Sequence, residues 1–163
     1  MDIRLARIDD RLIHGQVATV WSKQTGVERI IVISDVVAQD KLRKFLLKEA
    51  APPGITANVI TVQKMIQIYH SGLLSRAKVM LLFTNPQDVE AVVRCGVQLK
   101  SLNIGGMSFT EANQLITNFV SVNQQDIDSF RYLNSQEVEL EIRKVPADRK
   151  ILLMELLAKI KKV

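Results

Sequence analysis

A single cysteine, Cys95, leaves the chain no partner for an internal disulfide and suits a reducing compartment such as the cytoplasm. With Val92, Val93 and Val97 around it, Cys95 is expected to be packed in the core. Aromatic residues are scarce at 5%, which leaves little surface for stacking nucleic-acid bases. The basic residues behind the net charge of +5 are spread along the chain, so no nucleic acid is expected as a partner. An acidic protein fits the positive excess better, because complementary fields speed association. Apolar runs such as 30–33 and 79–83 fall far short of the roughly 18 residues of a membrane span, so direct membrane insertion is not expected. No basic-then-apolar leader precedes the first apolar segment, and no signal peptide is expected. Metal-ligand spacings, a Walker loop and a dinucleotide glycine fingerprint are all missing, so no metal and no cofactor is expected. Histidine is rare as well: imidazole chemistry has only His14 and His70 to use.

What is present alternates. With 163 residues, 47% of them apolar, the chain suffices for one domain, 1–163, with a sizeable core. Strands are expected at 3–8, 29–33, 56–62, 78–83, 102–104, 116–122 and 138–142. A helix carrying Val17, Val20 and Trp21 follows the first strand, with Gly26 as its C-cap. Further helices are expected at 40–50, 64–70, from Pro86 to about Gly96, 123–133 and 148–160. Asn85 is the natural N-cap of the one that opens with Pro86, and Gly105-Gly106 reads as a sharp turn. Such regular alternation predicts an α/β fold, a three-layer α/β/α arrangement on a mostly parallel sheet of six or seven strands.

The chemistry concentrates in Arg7-Ile8-Asp9-Asp10-Arg11-Leu12-Ile13-His14-Gly15-Gln16. This stretch places His14 at the carboxyl end of the first strand and beside the first turn of a helix. Ligands gather at that edge of an open α/β sheet, and the free N–H groups of a helix start attract anions. Neutral imidazole is a good nucleophile toward phosphorus, and a helix N-terminus disfavours its cationic form. Arg11 is either a solvent-facing partner of Asp9 or Asp10, or a guanidinium aimed at phosphoryl oxygens. Asp9 and Asp10 can orient the imidazole, cap the helix or neutralise Arg7 and Arg11. Gly15 permits close approach of backbone to phosphate. Asp10, Gly15, Gln16, Thr84 and Asn85 are the candidate phosphate-site residues around His14 and Arg11. Trp21 reads as core, and His70 as a surface residue at a helix end.

The stretch Leu5-Ala6-Arg7-Ile8-Asp9-Asp10-Arg11-Leu12-Ile13-His14-Gly15-Gln16-Val17 resembles the active-site signature of IIB subunits of the mannose/fructose/sorbose class. These subunits belong to the bacterial phosphoenolpyruvate-dependent sugar phosphotransferase system. The likeness continues through Ala51-Pro52-Pro53-Gly54, Met80-Leu81-Leu82-Phe83-Thr84-Asn85-Pro86 and Asn103-Ile104-Gly105-Gly106-Met107, most nearly in the sorbose-specific form. The resemblance implies that His14 accepts a phosphoryl group from a phosphohistidine of IIA, at Nδ1. It implies delivery to a sugar held by the membrane IIC and IID subunits, with Arg11 assisting that second transfer. A free-standing cytoplasmic subunit, peripherally associated with the membrane complex, is the corresponding expectation. Histidine phosphatases and mutases are the rival: they place arginine where Ile13 stands and need a second site histidine. A non-catalytic binding module is a third reading.

Overall fold

The computed structural model describes residues 1–160. Strands β1 (Asp2–Asp9), β2 (Arg29–Ile33), β3 (Thr56–Ile60), β4 (Lys78–Phe83), β5 (Ser101–Gly106), β8 (Glu139–Ile142) and β9 (Ile151–Leu152) form one sheet in the order β3-β2-β4-β1-β5-β8-β9. All neighbours pair parallel except β9, which runs antiparallel to β8. Strands β6 (Gln114–Thr117) and β7 (Val120–Val122) make a separate antiparallel pair. The helices are α1 (Gly15–Thr25), α2 (Asp35–Gln39), α3 (Lys41–Glu49), α4 (Val62–Ser71), α5 (Pro86–Arg94), α6 (Gln124–Ser135) and α7 (Leu153–Ile160).

The strands are apolar on both faces, so the sheet carries a core on each side, as a covered parallel sheet must. Ile30, Val32, Met80 and Leu82 meet Ala18 and Trp21 of α1, Val37 of α2 and Leu47 of α3. Ile31, Ile33, Val79, Leu81 and Phe83 meet Met65 of α4, Val89 and Val92 of α5, Phe130 and Leu133 of α6, and Leu153 and Leu157 of α7. The three-layer α/β/α arrangement on a mostly parallel sheet is therefore the observed one. Strand β1 sends its chain to one layer, whereas its neighbours β4 and β5 send theirs to the other. The carboxyl end of β1 thus lies at a crevice between diverging connections.

Four expectations are corrected. Gly105 and Gly106 lie inside β5, not in a turn, for a reason that belongs to the site described below. The segment 116–122 is not one strand of the main sheet, because Leu115 pairs back on Ser121 and Thr117 on Val120. The last helix begins at Leu153: Ile151 and Leu152 instead pair with Ile142 and Glu141, covering the edge of β8. Cys95 is exposed, because it caps α5 beyond the last buried turn. The short α2 goes unread in the sequence, although the Ser34 side chain accepts from the Val37 N–H and starts it. Trp21 is in the core, at 3% exposure, as expected.

Candidate functional site

On the α1 side of β1, the alternation that buries Ala6 and Ile8 on the opposite face turns Arg7 and Asp9 inward. Asp9, the last residue of β1, is fully buried and takes four donors. Its Oδ2 accepts from Arg7 Nη2 at 2.9 Å and from His14 Nε2 at 2.9 Å. Its Oδ1 accepts from the Arg11 backbone N–H at 3.1 Å and from Arg11 Nε at 3.4 Å.

The loop that permits this is tight. Leu12 donates its N–H to the Asp9 carbonyl at 2.8 Å and holds φ at +60°, a conformation costly for a branched side chain. Burial of Leu12 and Ile13 in the α1-side core holds it there. His14 is then the extended N-cap of α1, and its ring is not used for capping. It turns back to Asp9, with 23% of its side chain exposed. Gly15 follows at φ +49°, where a Cβ would be strained. The first turn of α1 contains no acidic residue, so its outward N–H groups retain their attraction for an anion.

Electrostatics sharpen the arrangement. Burial pushes the Asp9 carboxyl up, but the His14 hydrogen bond, the Arg7 charge and the Arg11 N–H together outweigh it and hold the group below the ordinary carboxylate range. Burial likewise pulls Arg7 down, against the nearby Asp9 charge. An ionised carboxylate only accepts, so the neutral His14 ring must carry its hydrogen on Nε2. Nδ1 is left with its lone pair, and among the described residues it has no hydrogen-bond partner. The site can therefore present a nucleophilic nitrogen at a helix start, with the 55%-exposed Arg11 sharing the Asp9 carboxylate with His14.

The two glycines of β5 make room for this pair. A Cβ on Gly105 would fall on the Arg7 guanidinium, and one on Gly106 would lie 3.2 Å from Asp9 Oδ1. Arg11 also borders a cavity of about 280 Å³ whose walls include Phe109, Leu115, Phe119 and Lys144.

Of the other candidates, Gly15 and Gln16 stand exposed at the start of α1. Asp10 does something else: its Oδ2 accepts the Ser108 N–H at 2.7 Å, which tethers the chain after β5. Thr84 and Asn85 follow β4, but Asn85 is engaged in capping α5, through its Oδ1 to the Asp88 N–H at 2.8 Å and its Nδ2 to Thr84. His70 is remote, at the amino edge of the sheet, with Nε2 at 2.6 Å from the Cys95 carbonyl. Asp9 and Arg7 are the members that sequence reasoning left without a definite role. The signal for them was a pair of charges two residues apart inside an apolar strand. Among the described residues no cluster of His, Cys, Asp or Glu could hold a metal ion.

Comparison with known proteins finds relatives along nearly the whole chain. The family described as PTS system sorbose subfamily IIB component matches residues 3–163. The mannose-specific EIIAB component of the PTS of Escherichia coli K12 is 54% identical over 162 residues, 99% of this chain but 50% of that protein. The chain thus spans about half the length of such relatives. The sorbose-specific EIIB component of Lacticaseibacillus casei is 46% identical over 163 residues, covering 100% of this chain and 98% of that one. The crystal structure of the IIBSor domain of the Klebsiella pneumoniae sorbose permease superposes with a TM-score of 0.95 at 45% identity, covering 98% of each chain.

Proposed function

The chain belongs to the sorbose subfamily of IIB components of the phosphotransferase system, and from that premise we propose that it is a phosphocarrier working through His14. In the loading step Nδ1 attacks the phosphorus of a phosphohistidine on IIA. The new Nδ1–P bond forms as the donor N–P bond breaks, and the donor imidazole leaves. His14 has no proton to lose, since Nδ1 is the lone-pair nitrogen. Instead its ring gains positive character, which the Asp9 carboxylate at Nε2 stabilises. Arg11 and the N–H groups of α1 face the phosphoryl oxygens. In delivery a sugar hydroxyl takes the phosphorus, the O–P bond forms, its proton is released to solvent and His14 leaves as neutral imidazole.

The observation that carries this reading is a histidine held at Nε2 by an ionised carboxylate and free at Nδ1, next to a helix start and an arginine. IIA is the expected donor, as the A and B parts joined in the name of the Escherichia coli relative suggest. The acceptor is a sugar of the sorbose, mannose or fructose class held by membrane IIC and IID subunits. Among the described residues no helix is long and apolar enough to cross a membrane, which fits a cytoplasmic component docked on that complex. Sorbose remains the reading of the family match, although identity to the mannose-specific relative is higher.

Reconstitution with IIA, phosphoenolpyruvate and the two general phosphocarriers tests the proposal. Acid-labile label should appear on the peptide containing His14 and disappear in His14→Ala while the fold persists; label on any other residue would overturn it. Turnover of small phosphomonoesters would favour the phosphatase reading, against which stands the position of His70 at the far edge of the sheet.

A further inference from the structure

Asp9 does not end the polar chain behind His14. Arg7, Asn103 and Glu141 are cross-strand partners in one row, Arg7 opposite Asn103 in β1·β5 and Asn103 opposite Glu141 in β5·β8. All three are buried, at 2%, 1% and 3% exposure. The row lies under Trp21 of α1, whose ring is flanked by Arg7 at 5.6 Å and Arg143 at 5.3 Å. Across β2, β3 and β4 this face of the sheet is apolar. Burying ions is costly, and apolar residues of similar volume are often as stable or more so. Core stability alone is thus a poor reason for this row.

Each hydrogen bond in the row has a direction. Glu141 is clamped by Arg143, Nε to Oε2 and Nη2 to Oε1, both at 2.9 Å. As a carboxylate it only accepts, so it takes the Asn103 Nδ2–H at 3.2 Å. The same Nδ2 group donates to the Arg143 carbonyl at 3.2 Å, and these two acceptors turn the Asn103 amide with Oδ1 toward Arg7, where it accepts from Nη1. The Arg143 carbonyl accepts from the same Nη1 at 3.1 Å. With Nη1 held there, Nη2 is aimed at Asp9 Oδ2, the oxygen that also takes the His14 Nε2–H.

We propose that Asn103 and Glu141 are positioning residues for phosphoryl transfer: the buried row Glu141–Asn103–Arg7–Asp9 sets which nitrogen of His14 is left free to react. This rests on the phosphocarrier reading of His14, but the relay can be judged without any transfer. Neither residue touches the phosphoryl group. They act by denying Asp9 any other orientation, so that Nε2 stays the protonated nitrogen and Nδ1 the nucleophile.

Nitrogen-15 NMR of the unphosphorylated wild-type protein provides the first readout. His14 should show a protonated, slowly exchanging Nε2 and a bare Nδ1; a protonated Nδ1, or a ring exchanging freely between tautomers, overturns the relay. Asn103→Leu and Glu141→Gln provide the second. The first removes the acceptor for Arg7; the second keeps the shape but can present an amide N–H to Asn103 and reverse the row. Both should lower the rate of His14 loading at saturating phospho-IIA, by about ten-fold for Glu141→Gln and up to about a hundred-fold for Asn103→Leu, with KM for phospho-IIA unchanged. Part of the label should move from Nδ1 to Nε2, which phosphorus–nitrogen coupling distinguishes. A row that only stabilises the fold would lower the melting temperature and leave both the isomer and the rate per folded molecule as in wild type. That result would refute the proposal. If Asn103→Leu does not fold, the isomer and rate of Glu141→Gln, which keeps the shape of the row, decide. Failure to label His14 in the wild type would instead sink the phosphocarrier reading and leave the tautomer result standing.

Discussion

Replacing Asp9 by asparagine keeps the shape of the side chain and removes its charge. In the native site one oxygen serves Arg7 and His14 and the other serves Arg11. The introduced amide offers one acceptor and one donor group, so one of these pairs must face an N–H. With its oxygen kept toward Arg11, its N–H meets both Arg7 Nη2 and His14 Nε2. His14 can then keep a hydrogen bond only by accepting at Nε2, which moves its proton to Nδ1 and blocks the nucleophile. A histidine locked in the wrong tautomer by the same substitution in a serine-protease triad loses about ten-thousand-fold in turnover. A loss of about that order in the loading rate is expected here. The cost to stability is about 3–5 kcal/mol, the range for removing one partner of a buried ion pair, since Arg7 and Asp9 are 2% and 0% exposed. Domains hold about 5–15 kcal/mol, so the variant should fold, with a lower melting temperature. Initial rates of label transfer from phospho-IIA in quenched flow, normalised to folded protein, measure the effect. A rate within threefold of wild type would show that Asp9 does not set the tautomer.

Further tests address neighbouring groups. Arg11→Ala should leave stability within about 1 kcal/mol, because its 3.4 Å contact to Asp9 is made by a side chain that is 55% exposed. It should slow delivery to sugar more than loading of His14, and equal slowing would deny it a specific part in delivery. Gly105→Ala drives a methyl group into the buried Arg7 guanidinium and should cost about 1–3 kcal/mol by thermal denaturation, while an unchanged melting temperature would mean Arg7 can move aside freely. Because the folded pKa of Asp9 lies below its ordinary value of 3.8, the stability it contributes is complete above that value and is lost as pH falls through the lower folded value. Acid denaturation of Asp9→Asn should therefore lack that component. Parallel acid limbs for the two proteins would contradict the assignment.

Much of the fold is legible along the chain, because burial on both faces of a sheet writes itself as local apolar runs. The cores of β2 and β4, the Asn85–Pro86 start of α5 and the Gly26 end of α1 each depend on residues within a few positions of one another. So does the placing of His14 between a strand end and a helix start, and with it the general chemistry. Less legible were short elements whose partner is elsewhere in the chain. Ile151 and Leu152 continue a helical pattern on paper, yet pairing with β8 turns them into a strand.

The sequence alone indicated the layers, the family resemblance and the placing of His14 between a strand end and a helix start, since period and motif are local properties. Tertiary structure alone decided which strands lie side by side, and hence that Arg7 meets Asn103, 96 positions away, and Asn103 meets Glu141, 38 positions away. Period tells which face a side chain takes but not which strand stands next to it; crossover connections decide that. For the same reason Gly105 and Gly106, which read as a turn, are the space that a buried guanidinium and carboxylate occupy. The carboxylate that holds His14 Nε2 is itself held by that row of contacts, which no local pattern reveals.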